Sequence, residues 1–487
     1  MGFALYWNCL GDNTNPNEFV KRRMNEMRKR KAFWGVTLAC VLLLTSCGAQ
    51  TSSAAPASQA PESTAQSESQ HGNIFQNSDA NVSEGRITVL TNVTEGDRLE
   101  ELKKYAQEFD AKYPGTQTVE FESIDDYENQ AKIRLSGSDY GDVLLIPNTV
   151  EVANLGEYFV PLGTYEDLSK QYYCVDDRAY DGLVYGIPVS VQFTGIFYNK
   201  TVLEEAGITQ IPRTIDEFMD ALKMIKEKTD AIPLYTAYAD QWTLNQWEAN
   251  TLTVAGDVNY PYVMQAHDRQ NFLKGSPNYN LYRIMYEASA VGLIEDDPAT
   301  ATFDEAKRLM ANGEVATYVC SSWAIGQFQE AAMDAGMSED VIGYMPFPTP
   351  TADMKQLVRL GRDYVNGVSV HSKHQDIALA WVKFFAETDY ATRLSSSVSP
   401  LVGSELPAIA TDWYDLGVEF AACTPAQGEN QGLLDEIDKE SEVGLLEADF
   451  KQRIIDAAIG NRDETYDDIM NELNSSWVAA MDTLGVQ

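Results

Sequence analysis

RITVLTNV (residues 86–93), DRLEELKKYAQEFDAKY (97–113), TVEFESI (118–124) and DVLLIP (142–147) are the stretch whose reading decides the fold. The first and third are β-branched runs of strand length. The second places Leu99, Leu102, Ala106 and Phe109 near helical spacing, and Pro114-Gly115 ends it. A further helix around 127–135 and a turn containing Gly137 lead into DVLLIP, which reads as a buried strand. Strand and helix thus alternate, which implies parallel strands joined by crossover helices, an α/β architecture.

The alternation continues along the chain. GIPVSVQFTGIFYNK (186–200) reads as one long β segment, followed by helices at 201–206 and 214–228. The latter begins with Thr214 and has Glu217 three residues on, the spacing of a capping box that satisfies the exposed amides of a first turn. Trp381 stands among Ile377, Ala380, Phe384 and Phe385 at helical spacing and marks a core face. No repeat of 20 to 50 residues is present, so solenoids and propellers are disfavoured.

The amino-terminal region has a different character. Four consecutive basic residues at 28–31 precede an apolar run over 32–44, too short to span a bilayer. Leu44-Thr45-Ser46-Cys47 closes that run and resembles the bacterial lipobox, which implies lipidation of Cys47 and cleavage before it. Residues 1–46 are then leader and signal peptide, with Met24 or Met27 as the true start. Residues 47–84, rich in Ser, Ala, Gln and Pro, are expected to be a flexible tether.

Seventy-three acidic against 36 basic residues give a formal charge of −37. Such a surface repels phosphate backbones, which excludes nucleic acid as a partner. Cys174, Cys320 and Cys423 have no metal or redox spacing and read as small core residues. The four histidines form no ligand set: His371 and His374 are read as a solvated pair, so no metal is expected. Phosphate-loop, dinucleotide, nucleophile-elbow and HExxH motifs are absent, so no cofactor and no catalytic residue is assigned. A glycosidase needs only two carboxylates, and a secreted carbohydrate-active enzyme therefore stays open as an alternative.

Four passages in order carry a family resemblance: Tyr185-Gly186-Ile187-Pro188 with Gly195-Ile196-Phe197-Tyr198-Asn199-Lys200; TVLEEAGI (201–208); Pro212-Arg213-Thr214 with Phe218; and Gly313-Glu314-Val315-Ala316-Thr317 leading to Trp323. From about residue 86 onward the chain resembles the extracellular solute-binding proteins of ABC importers, family 1, which are maltodextrin-binding-protein-like. Ile215 stands where that family carries tryptophan. The resemblance implies a two-lobed periplasmic-binding-protein fold of class II type, closing by hinge rotation over solute in the cleft. It puts lobe 1 at 85–195 plus about 349–400 and lobe 2 at 198–345 plus about 405–487. The crossings are expected near 194–199, 345–351 and 400–407. It also implies an extracellular, lipid-anchored receptor on the cell membrane that hands a sugar to ABC permease subunits, with a monomer expected. A sensory or lectin-like surface receptor sharing the fold is the other alternative.

Sugars offer hydroxyl edges and weakly apolar faces, so their sites combine planar polar groups with aromatic rings. By the resemblance, ligand contacts fall at Asn92 and Glu95 after the first strand, Asn148 after DVLLIP, Gln192 in the crossing strand, Trp242 in YADQWTLNQW, Trp323 after EVATYV, and Asp363, Tyr364 and Asn366 before GVSV. Ordinary loop roles remain open for Asn92, Glu95, Asn148, Trp242 and the 363–366 group. Asp142, at the head of its strand, reads as structural.

Overall fold

The computed structural model describes residues 74–80, 82–94, 97–394 and 397–487. Cys47, the signal segment and Glu95 lie outside the described residues. The chain folds into two α/β lobes. The first opens with β1 (Gly85–Thr91), α1 (Asp97–Lys112), β2 (Thr116–Ser123), α2 (Tyr127–Leu135) and β3 (Val143–Leu145). Both β2 and β3 pair in parallel with β1, as strand-helix alternation requires. All three residues of β3 are buried, which is why DVLLIP carries no polar alternation. Asp142, just before it, accepts a hydrogen bond from the Thr88 amide at 2.8 Å and one from Ser372 Oγ at 2.6 Å. It therefore ties the strand to a neighbouring loop.

The segment 186–200, expected as one β unit, is two strands in different sheets. β4 (Ile187–Pro188) closes the first sheet and β5 (Val191–Asn199) opens the second. The second lobe continues through α3 (Ile215–Lys228), β6 (Ile232–Tyr235), α4 (Pro277–Ala290), α5 (Phe303–Ala311), β7 (Val315–Ser321), β8 (Ile342–Pro346) and β9 (Leu357–Arg362). The chain then returns to the first sheet as β10 (Val365–Val368) with α6 (Gln375–Ala386), and finishes in the second lobe with β11 (Glu419–Ala422), α7 (Asp449–Ala458) and α8 (Tyr466–Leu484). The sheet orders are β2-β1-β3-β10-β4 and β11-β9-β5-β7-β6, with β8 also on β5. At Gly343 in β8 a Cβ would stand 2.2 Å from the Tyr198 ring of β5, so only glycine admits that aromatic.

Among the described residues three short passages cross between the lobes: residues 189–190, residues 363–364, and the segment 397–407, in which Val398 packs with the second core, Leu401 on the first and Leu406 on the second. They touch one another. The Val189 amide donates to Tyr364 O at 2.9 Å and the Asp363 amide to Ser190 O at 3.0 Å, while Val191 and Val398 exchange backbone bonds at 2.9 and 2.8 Å. The crossings expected near 194–199 and 345–351 are therefore displaced. MPFPTPT does not cross: Thr349 docks on the start of α3, exchanging backbone bonds with Arg213 and Ile215. Likewise 357–362, expected in lobe 1, is β9 of the second sheet.

The amino-terminal side also differs. Residues 74–80 pack on lobe 1, with Phe75 at 1 % exposure, edge-on to Tyr172 at 5.9 Å, and Lys383 Nζ donating to Gln76 O at 2.7 Å. Ile74-Phe75 is an apolar pair inside an otherwise polar stretch, and burial of the Phe75 ring favours docking of this turn on lobe 1.

Candidate functional site

Register places the functional ends of both sheets at the crossings. In the second lobe the last residue of β7, Ser321, pairs with Thr194 near the start of β5. In the first, Asn366 near the start of β10 pairs with Leu145 at the end of β3. Since β5 and β10 each begin at a crossing, the carboxyl ends of the parallel strands converge there. That is where open parallel sheets present their binding loops.

On the first lobe a hollow of about 50 Å³ is lined by Asn92, Arg98, Asp363, Tyr364 and Asn366, with Trp381 and other core side chains behind. Four of the sequence-predicted residues thus come together. Asn92 is exposed, Asn366 is buried within β10, and the Tyr364 ring stands edge-on to Tyr127 at 5.8 Å. Asp363 accepts from Ser190 Oγ at 3.3 Å, and burial pushes its carboxyl pKa up. It acts as much in the crossing as in the hollow. Trp381 is 1 % exposed, with its ring against Phe109 at 5.4 Å, as its helical spacing predicts.

On the second lobe Trp242, Phe303 and Trp323 form a cluster. Their ring centroids lie 5.2 Å apart for Trp242 and Phe303, 5.4 Å for Phe303 and Trp323, and 5.8 Å for the two tryptophans. Trp242 remains 40 % exposed. It follows a loop with two non-glycine residues at positive φ, Ala237 at 51° and Gln241 at 58°. Each such residue costs about 1–3 kcal/mol and persists only where its surroundings over-determine it. Gln192 sits in β5 opposite Gly361, half-buried. The cluster presents π faces and the hollow presents amide, phenol and guanidinium groups, two complementary ways of holding a polyhydroxylated ligand.

A family profile described as bacterial extracellular solute-binding protein matches residues 94–392. The chain belongs to this family. The solute-binding protein is 30 % identical, with a TM-score of 0.73, to a mannobiose-bound ABC-transporter binding protein from Bifidobacterium animalis subsp. lactis, covering 84 % of this chain and 97 % of that one. A manno-oligosaccharide-specific binding protein from the same organism, bound to mannotriose, gives 31 % identity and a TM-score of 0.73 over the same shares. The diacetylchitobiose-binding protein DasA of Streptomyces coelicolor is 27 % identical over 60 % of this chain and 67 % of its own.

The structure of the solute-binding protein adds residues that sequence reasoning missed. Asn148 is already engaged: its Nδ2 donates to Glu128 at 2.7 Å and its Oδ1 accepts from Arg178 Nη2 at 3.3 Å. Arg178, 5 % exposed, pairs with Asp177 at 3.0 Å, and Asp177 in turn binds Arg362 beside the crossing. Burial alone would raise the Asp177 carboxyl, but Arg362 and Arg178 hold it below the usual carboxylate range. Gln431, on the second lobe, reaches Ala179 O of the first at 3.4 Å. The signal for this network was the run Asp176-Asp177-Arg178 next to apolar neighbours. Phe303 was hidden because the first residue of a helix ordinarily reads as a packing residue.

Proposed function

We propose that the protein is the substrate receptor of an ABC importer, capturing an oligosaccharide between its lobes and presenting it to the permease from a lipid anchor on Cys47. The aromatic cluster of Trp242, Phe303 and Trp323 on the second lobe, with Trp242 exposed, together with the first-lobe hollow that Asn92, Arg98 and Tyr364 help to line, carries this reading. Indole faces stack on sugar rings while Asn92, Arg98 and Tyr364 are suited to hydroxyl edges. Kinship with binding proteins for mannobiose, mannotriose and diacetylchitobiose supports the same ligand class. Among the described residues no helix is long and apolar enough to cross a membrane, and attachment in this reading comes from the lipid. The role is binding without turnover, by a monomer.

A thermal-shift screen of the purified protein with mannobiose, mannotriose, diacetylchitobiose and raffinose tests it. A ligand that binds only the folded state raises Tm by mass action. A rise with intact sugar recovered afterwards is expected. Recovery of cleaved sugar would make the protein a hydrolase, and a rise only with amino acids or polyamines would overturn the ligand class.

A further inference from the structure

At the start of the loop that leads to Trp242 lies a buried carboxyl group, that of Glu295. Glu295, 6 % exposed, sits beyond the end of α4 and accepts from the Thr236 amide at 2.9 Å and from the Thr236 hydroxyl. Thr236 begins the loop that ends at Trp242, the same loop in which Ala237 and Gln241 hold positive φ. Other ties reinforce it. Thr243 Oγ donates to Ala237 O at 2.8 Å, the Ala239 amide donates to Ala301 O at 2.9 Å, and Asp240 accepts from the Phe303 amide at 2.6 Å.

We propose that Glu295 is a positioning residue for sugar binding, fixing the strained 236–241 loop so that Trp242 stands against Phe303 and Trp323 in stacking geometry. This rests on the sugar-receptor reading of the cluster. Burial raises the Glu295 carboxyl pKa, so taking this polar group out of water is costly unless its hydrogen bonds are met. Its partners are loop donors rather than a cation, so what the buried carboxyl secures is the loop. A left-handed alanine needs an external restraint, since without one the backbone relaxes toward negative φ and carries the following indole with it. Glutamine at this position would keep the volume but leave one acceptor oxygen where the Thr236 amide and hydroxyl now share two.

The test uses the full chain with Glu295→Gln and Glu295→Ala. Two indoles 5.8 Å apart at 46° form an exciton pair whose circular-dichroism couplet reports their mutual geometry, and Trp242→Phe identifies that couplet. Both Glu295 variants are expected to lose the couplet to the Trp242→Phe level. Amide exchange across 236–244 should quicken about tenfold in both, with exchange in β7 and α4 unchanged. The Kd for mannotriose should rise about tenfold. An intact couplet and unchanged exchange in both variants would overturn the proposal, as would global unfolding of both, since Glu295 would then hold the lobe and not the loop. If mannotriose fails to bind the wild type, or Trp242→Ala leaves its Kd unaltered, the sugar reading fails, and the couplet and exchange still decide whether Glu295 positions the indole.

Discussion

Arg178 shows how one side chain links lobe 1 to the crossing. Its guanidinium serves Asp177 and Asn148, and Asp177 also binds Arg362, so removing Arg178 leaves a carboxylate with one cation and Asn148 Oδ1 without its donor. Arg178→Ala should lower stability by about 2 kcal/mol, read as a fall in the denaturation midpoint at unchanged slope. Next to it, burial pushes the Asp176 carboxyl up to about 6. A folded-state pKa above the unfolded one means that protons are bound more tightly in the native state, so stability falls as pH rises through that window. Asp176→Asn should therefore raise Tm above pH 6 and leave it nearly unchanged below the unfolded-state value of about 4. A Tm difference independent of pH would show that Asp176 is not the titrating group.

At the scale of elements, α3 was legible to the residue. Glu217 donates its amide to Thr214 Oγ at 3.2 Å and its carboxylate accepts from the Thr214 amide at 3.1 Å, the reciprocal pair that the Thr214 and Glu217 spacing predicts. Thr214→Ala removes the side-chain acceptor and should cost about 1 kcal/mol, measurable by denaturant titration. The helix and strand alternation over 85–147 was legible for the same reason: local spacing carries it. What local spacing does not carry is sheet membership. Val189-Ser190 has no breaker except the preceding Pro188, yet β4 and β5 belong to different lobes. Conversely, the proline-rich 345–351 looked like a boundary and is a loop pinned to α3. The candidate site divides the same way. Trp242 and Trp323 can each be named from a place after a strand, whereas their contact through Phe303 and the tie from Glu295 depend on packing between residues up to 81 positions apart in the sequence.

For the whole molecule the three crossings matter most, because they are bonded to one another and so constrain the lobes to rotate about a common line rather than slide. The aromatic cluster belongs to the second lobe and the hollow with Asn92 and Arg98 to the first. A sugar therefore favours the closed arrangement only by touching both, since a ligand shifts an equilibrium no further than its differential affinity for the two states. Small-angle scattering should show the radius of gyration falling on saturation with mannotriose. Trp323→Ala removes one face of the cluster and should weaken binding about tenfold, with the stacking share of affinity on the order of 1–2 kcal/mol. Because closure in this scheme follows occupancy, the variant at saturating sugar should still reach the wild-type closed dimension, at a sugar concentration about tenfold higher. A variant that binds fully but stays expanded would show that Trp323 drives the rotation itself. A wild type whose radius does not change on binding would show that the lobes are rigid and that the crossings are braces, not a hinge.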